Sequence, residues 1–280
     1  MQACARALSL WFELPAVLST QELHDRIAAC EVAGIRAAIA TVRRLYPDAN
    51  AEGVDIAGGL AAFTGADSPL SQVYGAGRVG PVSAAEIAEI TAFFESRGAT
   101  PRVYVSPLAD PSLSRRLAAA RYAPCEFENV LASQELDAHA ACDERIRIAA
   151  DPEAWARASA MAFTDRDAVG DADAAIARVL VYSPGVTALE ALDDGAIAAT
   201  AAMDLHGDWT GLFAGATLGP YRGRGWHTAL IRDRLARAFE RGARFARGHA
   251  KPGSTSERNF LRCGFSVLYT RTLWERQQPQ

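Results

Sequence analysis

The chain has 280 residues, half of them hydrophobic, with 29 lysines plus arginines against 33 acidic residues and a formal net charge of -4. That length holds one large domain or two of ordinary size, with two favoured, and the apolar fraction is ample for burial. The near-neutral balance excludes a general affinity for nucleic acid or for an anionic membrane.

In chain order, residues 19–46 read as a long helix opened by a Ser19 and Glu22 capping box, followed by strands over Asp55 to Thr64 and Ser71 to Tyr74. Gly75-Ala76-Gly77-Arg78-Val79-Gly80 matches G-x-G-x-x-G literally. A dinucleotide site is not expected there. Pro81 and Val82 follow the last glycine, Ser83 and Glu86 start the helix later, and no acidic strand residue stands about 20 positions on. The second half opens with a short strand, Arg145 to Ile148, then helices over Pro152 to Phe163, behind Asp151, and Ala174 to Tyr182. Strands follow at Val186 to Leu192, Ala196 to Leu205 and Trp209 to Leu218, then a helix from His227 to Arg241 and a strand from Phe245 to Ala250. A short helix ends at Cys263, and two strands, Phe265 to Tyr269 and Thr270 to Trp274, close the chain.

The halves echo each other. Phe94-Glu95-Ser96-Arg97-Gly98-Ala99 parallels Phe239-Glu240-Arg241-Gly242-Ala243, and each is followed by a strand, a helix and an aromatic, Tyr122 or Phe265, at the next strand's start. Two copies of one fold are expected, over 1–134 and 144–280, joined by a linker at 135–143.

The five cysteines are odd in number and lack ligand spacing, so free thiols are expected; the five histidines show no paired spacing, so no metal site is expected. No apolar run approaches the roughly twenty residues of a membrane span, and Met1 to Trp11 lacks the signal-peptide pattern. A cytoplasmic location without membrane association follows.

The most informative stretch is Leu218-Gly219-Pro220-Tyr221-Arg222-Gly223-Arg224-Gly225-Trp226-His227, a strand end, a glycine turn and a helix start. Glycine leaves backbone N–H groups uncovered, and a helix N-terminus adds unpaired donors and partial positive charge, so an anion is expected there. The helix beyond it places Leu230, Ile231, Leu235, Ala238 and Phe239 on one face and Arg232, Asp233, Arg237, Glu240 and Arg241 on the other. A solvated, arginine-rich surface turn is the alternative. Downstream, Pro252 to Phe265 reads as a short helix ending in Gly264-Phe265.

This pair of motifs resembles the GNAT N-acetyltransferase superfamily. Arg222, Gly225 and His227 fall on the defined positions of its pyrophosphate motif, with His227 where Gly or Ala is usual, and the order of elements from residue 144 onward is that of the family. The resemblance implies an α/β (α+β) fold of two tandem GNAT-like domains, each a mixed, mostly antiparallel central sheet flanked by helices, with a degenerate N-terminal copy. It implies acetyl-coenzyme A (acetyl-CoA) as co-substrate, held by Thr217, Leu218, Arg222, Gly223, Arg224, Gly225, Trp226, His227, Ser256 and Asn259, and no metal. The acceptor it implies is a small amine, amino acid or peptide amine; a homodimer is left open. Glu190, Asp204 and His206 are general-base candidates. Phe260 stands where many members carry a proton-returning tyrosine, which leaves Tyr269 as a general-acid candidate and keeps a non-catalytic acyl-CoA-binding or partner-binding module as the rival reading.

Overall fold

A computed structural model describes residues 19–134, 136 and 142–278. Met1 to Trp11 and most of the 135–143 linker lie outside the described residues.

The first half runs α1 (Thr20–Leu45), β1 (Glu52–Ile56), β2 (Gly59–Phe63), β3 (Gln72–Tyr74), α2 (Ala84–Glu95), β4 (Arg102–Val105), α3 (Ser112–Ala119) and β5 (Tyr122–Ser133). The second runs β6 (Ile146–Ile148), α4 (Pro152–Thr164), α5 (Asp171–Tyr182), β7 (Val186–Asp193), β8 (Ala196–His206), β9 (Trp209–Thr217), α6 (Trp226–Glu240), β10 (Phe245–Ala250), α7 (Thr255–Arg262) and β11 (Ser266–Arg276). From β1 to β5 the first half repeats, element for element, the run from β7 to β11.

Local chemistry explains most boundaries. Ser19 and Ser83 each accept the N–H three residues on, while Glu22 and Glu86 accept the serine N–H at 2.8 and 2.7 Å, closing two reciprocal caps. Asp151 caps α4 through the N–H groups of Glu153 and Ala154, with Pro152 in the first turn. Two expectations need correction. The stretch from Asp55 to Thr64 is a hairpin, because Ala57 and Gly58 both take positive φ (55° and 73°) and reverse the chain between β1 and β2. The two closing strands are one, β11, which skips Leu268 in its pairing with β5 and so bends without ending.

All eleven strands join one sheet, in the order β1-β2-β3-β4-β11-β5-β10-β9-β8-β7-β6. Each half donates its last strand to the other: β11 pairs with β4 of the first half, and β5 pairs with β10 of the second. The two long strands pair with each other from Ser266↔Ala132 to Arg276↔Tyr122 and fuse the halves. Only β3–β4 and β9–β10 are parallel.

Helices cover both faces. On one, α6 packs through Leu230, Ile231, Leu235 and Ala238 on β8 to β10, and α2 and α3 cover the first half. The other face carries α4, α5 and α1. At about 1.5 Å per residue α1 is ~39 Å long, and it crosses the sheet's middle. Its Leu23, Ile27 and Cys30 sit over β5, β9 and β10, and its Ala38, Ile39 and Val42 over β2 and β3. No described helix is long and apolar enough to cross a membrane.

The face assignment of α6 also needs correction. Asp233, expected in solvent, is 1 % exposed, accepting the Asp143 N–H at 3.0 Å and pairing with Arg237 at 2.6 Å. Phe239, expected inside, is 39 % exposed. Arg234 is fully buried. Its Nε donates to the Leu230 carbonyl at 2.9 Å, and its Nη1 reaches the carbonyls of Ala202 (2.9 Å) and Phe213 (3.0 Å).

Candidate functional site

The glycine turn forms as its sequence dictates. Gly223 and Gly225 adopt φ of 79° and 83°, with nothing within 4 Å of where a Cβ would stand, and Gly225 is the N-cap of α6. Because glycine has no side chain to cap with, the first-turn N–H groups of α6 carry no side-chain cap. The matching loop in the first half is closed. There the Gly77 N–H bonds the Ala57 carbonyl at 2.8 Å, the Val82 N–H bonds Ser112, and the α2 start carries its serine cap.

The two arginines of the turn are tethers in this structure. Arg222 pairs with Asp165 at 2.9 Å and donates to the carbonyls of Thr217 and Ala162, tying the turn to the end of α4. Arg224 pairs with Asp193 at 2.8 Å and lies against the Tyr221 ring. Trp226 is buried in the core between the sheet and α6, with Arg145 stacked over it.

His227 turns inward, neither to solvent nor over the turn. Its Nε2 would stand 3.2 Å from a Cβ on Gly215, and its Nδ1 is 3.3 Å from the Asn259 amide. Burial, reinforced by the charge of Arg234, pulls its pKa down to about 4, against a hydrogen bond to the Gly215 backbone. The imidazole therefore bridges β9 and α7 as a neutral group. Asn259 is buried and also accepts from Arg262 at 3.1 Å, so it orients His227. Ser256 is partly exposed within the first turn of α7, whose cap is Ser254. Phe260 packs against Gly248, Phe265 and His227, where it fills core.

β9 and β10 are paired from Trp209↔Phe245 to Leu212↔Gly248 and then diverge. The divergence begins at a bulge, where Ala214 takes φ 50° and the β8–β9 register skips between Thr200 and Ala202. Arg234 holds this bulge from below through the Ala202 and Phe213 carbonyls. The Leu218 N–H is spent on the Ala198 carbonyl at 3.0 Å. By antiparallel alternation, the Thr217 N–H points away from β8 into the gap.

On the opposite face, where the strands part, lies a cavity of about 580 Å³ built by both halves. Its walls are apolar: Ile35 and Ala38 of α1, Leu70, Ile176 and Leu180 of α5, and Phe213, with Phe163 at the rim and 62 % exposed. Its floor is charged. Asp204 accepts from Arg247 Nη2 at 2.8 Å and from the Gly211 N–H at 2.7 Å, and His206 Nε2 stands 3.3 Å away. Glu31 holds Arg271 through both oxygens at 2.9 Å, and His249 Nε2 is 3.2 Å from the same carboxylate. Arg271 also pairs with Glu128 and lies over the Tyr104 ring.

Burial works against both carboxylates, but Arg247 and His206 hold the Asp204 carboxyl below its usual range, and Arg271, backed by Arg247, does the same for Glu31. Burial, with Arg271 beside it, pulls His249 down, so it is neutral near neutral pH. Its Nε2 has no well-aligned hydrogen-bond partner among the described residues.

Of the expected proton-transfer residues, the structure brings Asp204 and His206 to this cavity. Glu190 is elsewhere, buried and bonded to Arg147 at 2.7 Å. Tyr269 does not line the cavity: its ring packs edge-on against His24 under α1, and burial raises its pKa. Sequence reasoning missed Glu31, Arg247, His249 and Arg271. The signal for two of them was present, since Phe245-Ala246-Arg247-Gly248-His249-Ala250 places Arg247 and His249 at period two on one face of an otherwise apolar strand. Glu31 was hidden in a helix assigned to the other copy. Among the described residues no group of three side chains could hold a metal ion.

No protein-family model matches the chain, and no curated protein matches it in sequence. Solved structures do match in fold. A GCN5-related N-acetyltransferase from Kribbella flavida aligns with a TM-score of 0.64 at 18% identity, over 91% of this chain and 95% of that one. A tandem GNAT protein from the clavulanic acid biosynthesis pathway aligns with a TM-score of 0.56 at 16% identity over 79% of each chain. A GNAT-family acetyltransferase from Colwellia psychrerythraea aligns with a TM-score of 0.50 at 12% identity, over 94% of this chain and 98% of that one.

Proposed function

Starting from a chain that has the tandem GNAT fold, we propose that it is a cytoplasmic acyl-CoA-dependent N-acyltransferase, with acetyl-CoA as donor and a small amine as acceptor. The observation that carries this reading is the cavity, which meets the divergence of β9 and β10 on one side of the sheet while the uncapped α6 turn lies on the other.

The residues present suit the coenzyme. The Gly223 to Gly225 turn and the α6 N-terminus offer backbone donors to a pyrophosphate, Arg224 and Arg222 would add guanidinium donors on exchanging Asp193 and Asp165 for it, and the gap beyond Thr217 is open along one strand edge. His227 must swing aside for an arm to enter. The coenzyme supplies an acyl thioester, whose transfer makes an amide C–N bond as the C–S bond breaks. An ammonium acceptor loses two protons overall: one ends on the released thiol, the other goes to solvent. His249 is the group built to take the latter, being neutral, beside Glu31, and at the cavity floor. Asp204, tied to Arg247 and Gly211, positions the amine and is a poor base. Thr217 N–H is the donor available to the acyl oxygen. The described part of the N-terminal half, residues 19–134, serves as one acceptor wall, its own glycine loop being closed.

The test is a thiol-release assay with acetyl-CoA and an amine panel, beside calorimetric binding of acetyl-CoA to the protein and to Gly225→Asp. A carboxylate at that N-cap would repel the pyrophosphate, and equal affinity in the variant would sink the assignment of the turn.

A further inference from the structure

The acyl-transfer reading leaves the acceptor's chemistry open, and the cavity narrows it. Resting on that reading, we propose that the acceptor is a small primary monoamine with an apolar body. Its ammonium would sit at the Glu31 and Asp204 carboxylates and its body along Ile35, Leu70, Ile176 and Phe213.

Charge selects the head group. Imidazoles aside, the groups that face the cavity or pair with one that does are the carboxylates of Glu31, Asp204, Asp173 and Glu128 against the guanidinium groups of Arg247, Arg271 and Arg166. His249 adds no charge while neutral, so the cavity carries one unit of net negative charge and favours one cation. The unpartnered Nε2 of His249, next to Glu31, marks where a ligand nitrogen completes the hydrogen bonding.

The partners already made reject two neighbouring classes. An α-amino acid brings a carboxylate, whose charge would sit beside Glu31 and Asp204, since Arg271 is shared between Glu31 and Glu128 and Arg247 is bonded to Asp204 through Nη2, with its buried Nε left without a partner among the described residues. A diamine would bring a second ammonium past Ile35, Leu70 and Phe213 to Asp173, a carboxylate already held by Arg166 at 3.2 Å and by the Gly170 N–H at 3.0 Å, so that charge gains no free partner and is disfavoured. The volume, about 580 Å³, is that of a small-molecule site.

The test uses three ligands of one chain length, hexylamine, 1,6-diaminohexane and norleucine, titrated calorimetrically into the full chain without coenzyme, with thiol release from acetyl-CoA measured in parallel. Hexylamine should bind at least tenfold tighter than either competitor. Glu31→Gln and Asp204→Asn should each weaken it at least tenfold, and Leu70→Asp, at a partly exposed position that tolerates the change, should shift preference toward the diamine. Equal or tighter binding of norleucine or of the diamine to the unaltered protein overturns the proposal, as does no saturable binding of any of the three. Hexylamine binding without thiol release supports this ligand class and removes the transfer reading; thiol release with norleucine preferred does the reverse.

Discussion

Glu31 of α1 and Arg271 of β11 are joined through both carboxylate oxygens at 2.9 Å, across 240 positions of sequence, at the floor of a cavity that neither half builds alone. Removing one member of such a buried pair leaves the other uncompensated. Glu31→Ala should therefore cost about 3–5 kcal/mol in denaturant unfolding at pH 7. A loss under 1 kcal/mol would show the pair to be dispensable.

The pH profile follows from the same groups. Glu31 and Asp204 have folded pKa values below their unfolded ones, so their contribution is fully present above the unfolded value and is lost as pH falls through the folded value. Denaturant midpoints should fall steeply below about pH 4.3. In an Asp204→Asn, Glu31→Gln double variant that limb should flatten, and an unchanged slope would place the acid sensitivity elsewhere.

His227 acts in a different window. Its folded pKa, about 4, lies below the free imidazole value, so the unfolded chain takes up a proton first and stability declines as pH falls from about 6.5 toward 4. The loss should be on the order of 3 kcal/mol, His249 adding in the same direction. His227→Ala should remove its share and, by emptying the gap beside Gly215, tighten acetyl-CoA binding. Weaker binding in the variant would mean that the imidazole contacts the coenzyme after all.

Arg234 is expected to hold the β9 bulge. Arg234→Met keeps the apolar stem but strips donors from three carbonyls, which should cost about 2–4 kcal/mol. Amide exchange at residues 213–216 should accelerate more than at β7. Uniform acceleration across the sheet would argue for a general loss of stability.

Gly211→Ala tests the Asp204 setting directly. An added Cβ would press on Asp204 Oδ1 and lie 2.6 Å from Arg247 Nη2, so these two side-chain ends could give way only by disturbing the bond between them and the one from the Gly211 N–H. The variant should unfold several degrees lower and lose affinity for hexylamine together; a stable variant with unaltered affinity would separate the ion pair from the acceptor site.

What could be read in advance followed from local rules. The capping boxes at Ser19 and Ser83, the Asp151 cap and the glycine turn at 223 to 225 depend on residues a few positions apart, and the structure has each of them. Asp204 and His206 were legible because polar side chains end an apolar strand. Glu31 and Arg271 were not, since their meaning depends on α1 lying over the other half's sheet. Arg234 was missed for a related reason: a buried arginine satisfied by main-chain carbonyls at an irregular strand leaves no trace in amphipathic periodicity.

The traded final strands carry a further consequence. A chain cut within 135–143 would release two pieces that each lack an interior strand, β11 from the first and β5 from the second, so neither has a complete sheet. The protein should melt in one calorimetric step, and the two pieces should regain structure only when mixed. Separate copies of the repeated unit could satisfy the same pairing by trading strands between chains. In the fused form each half is free to diverge in its loops, while β5 and β11 stay under a shared constraint.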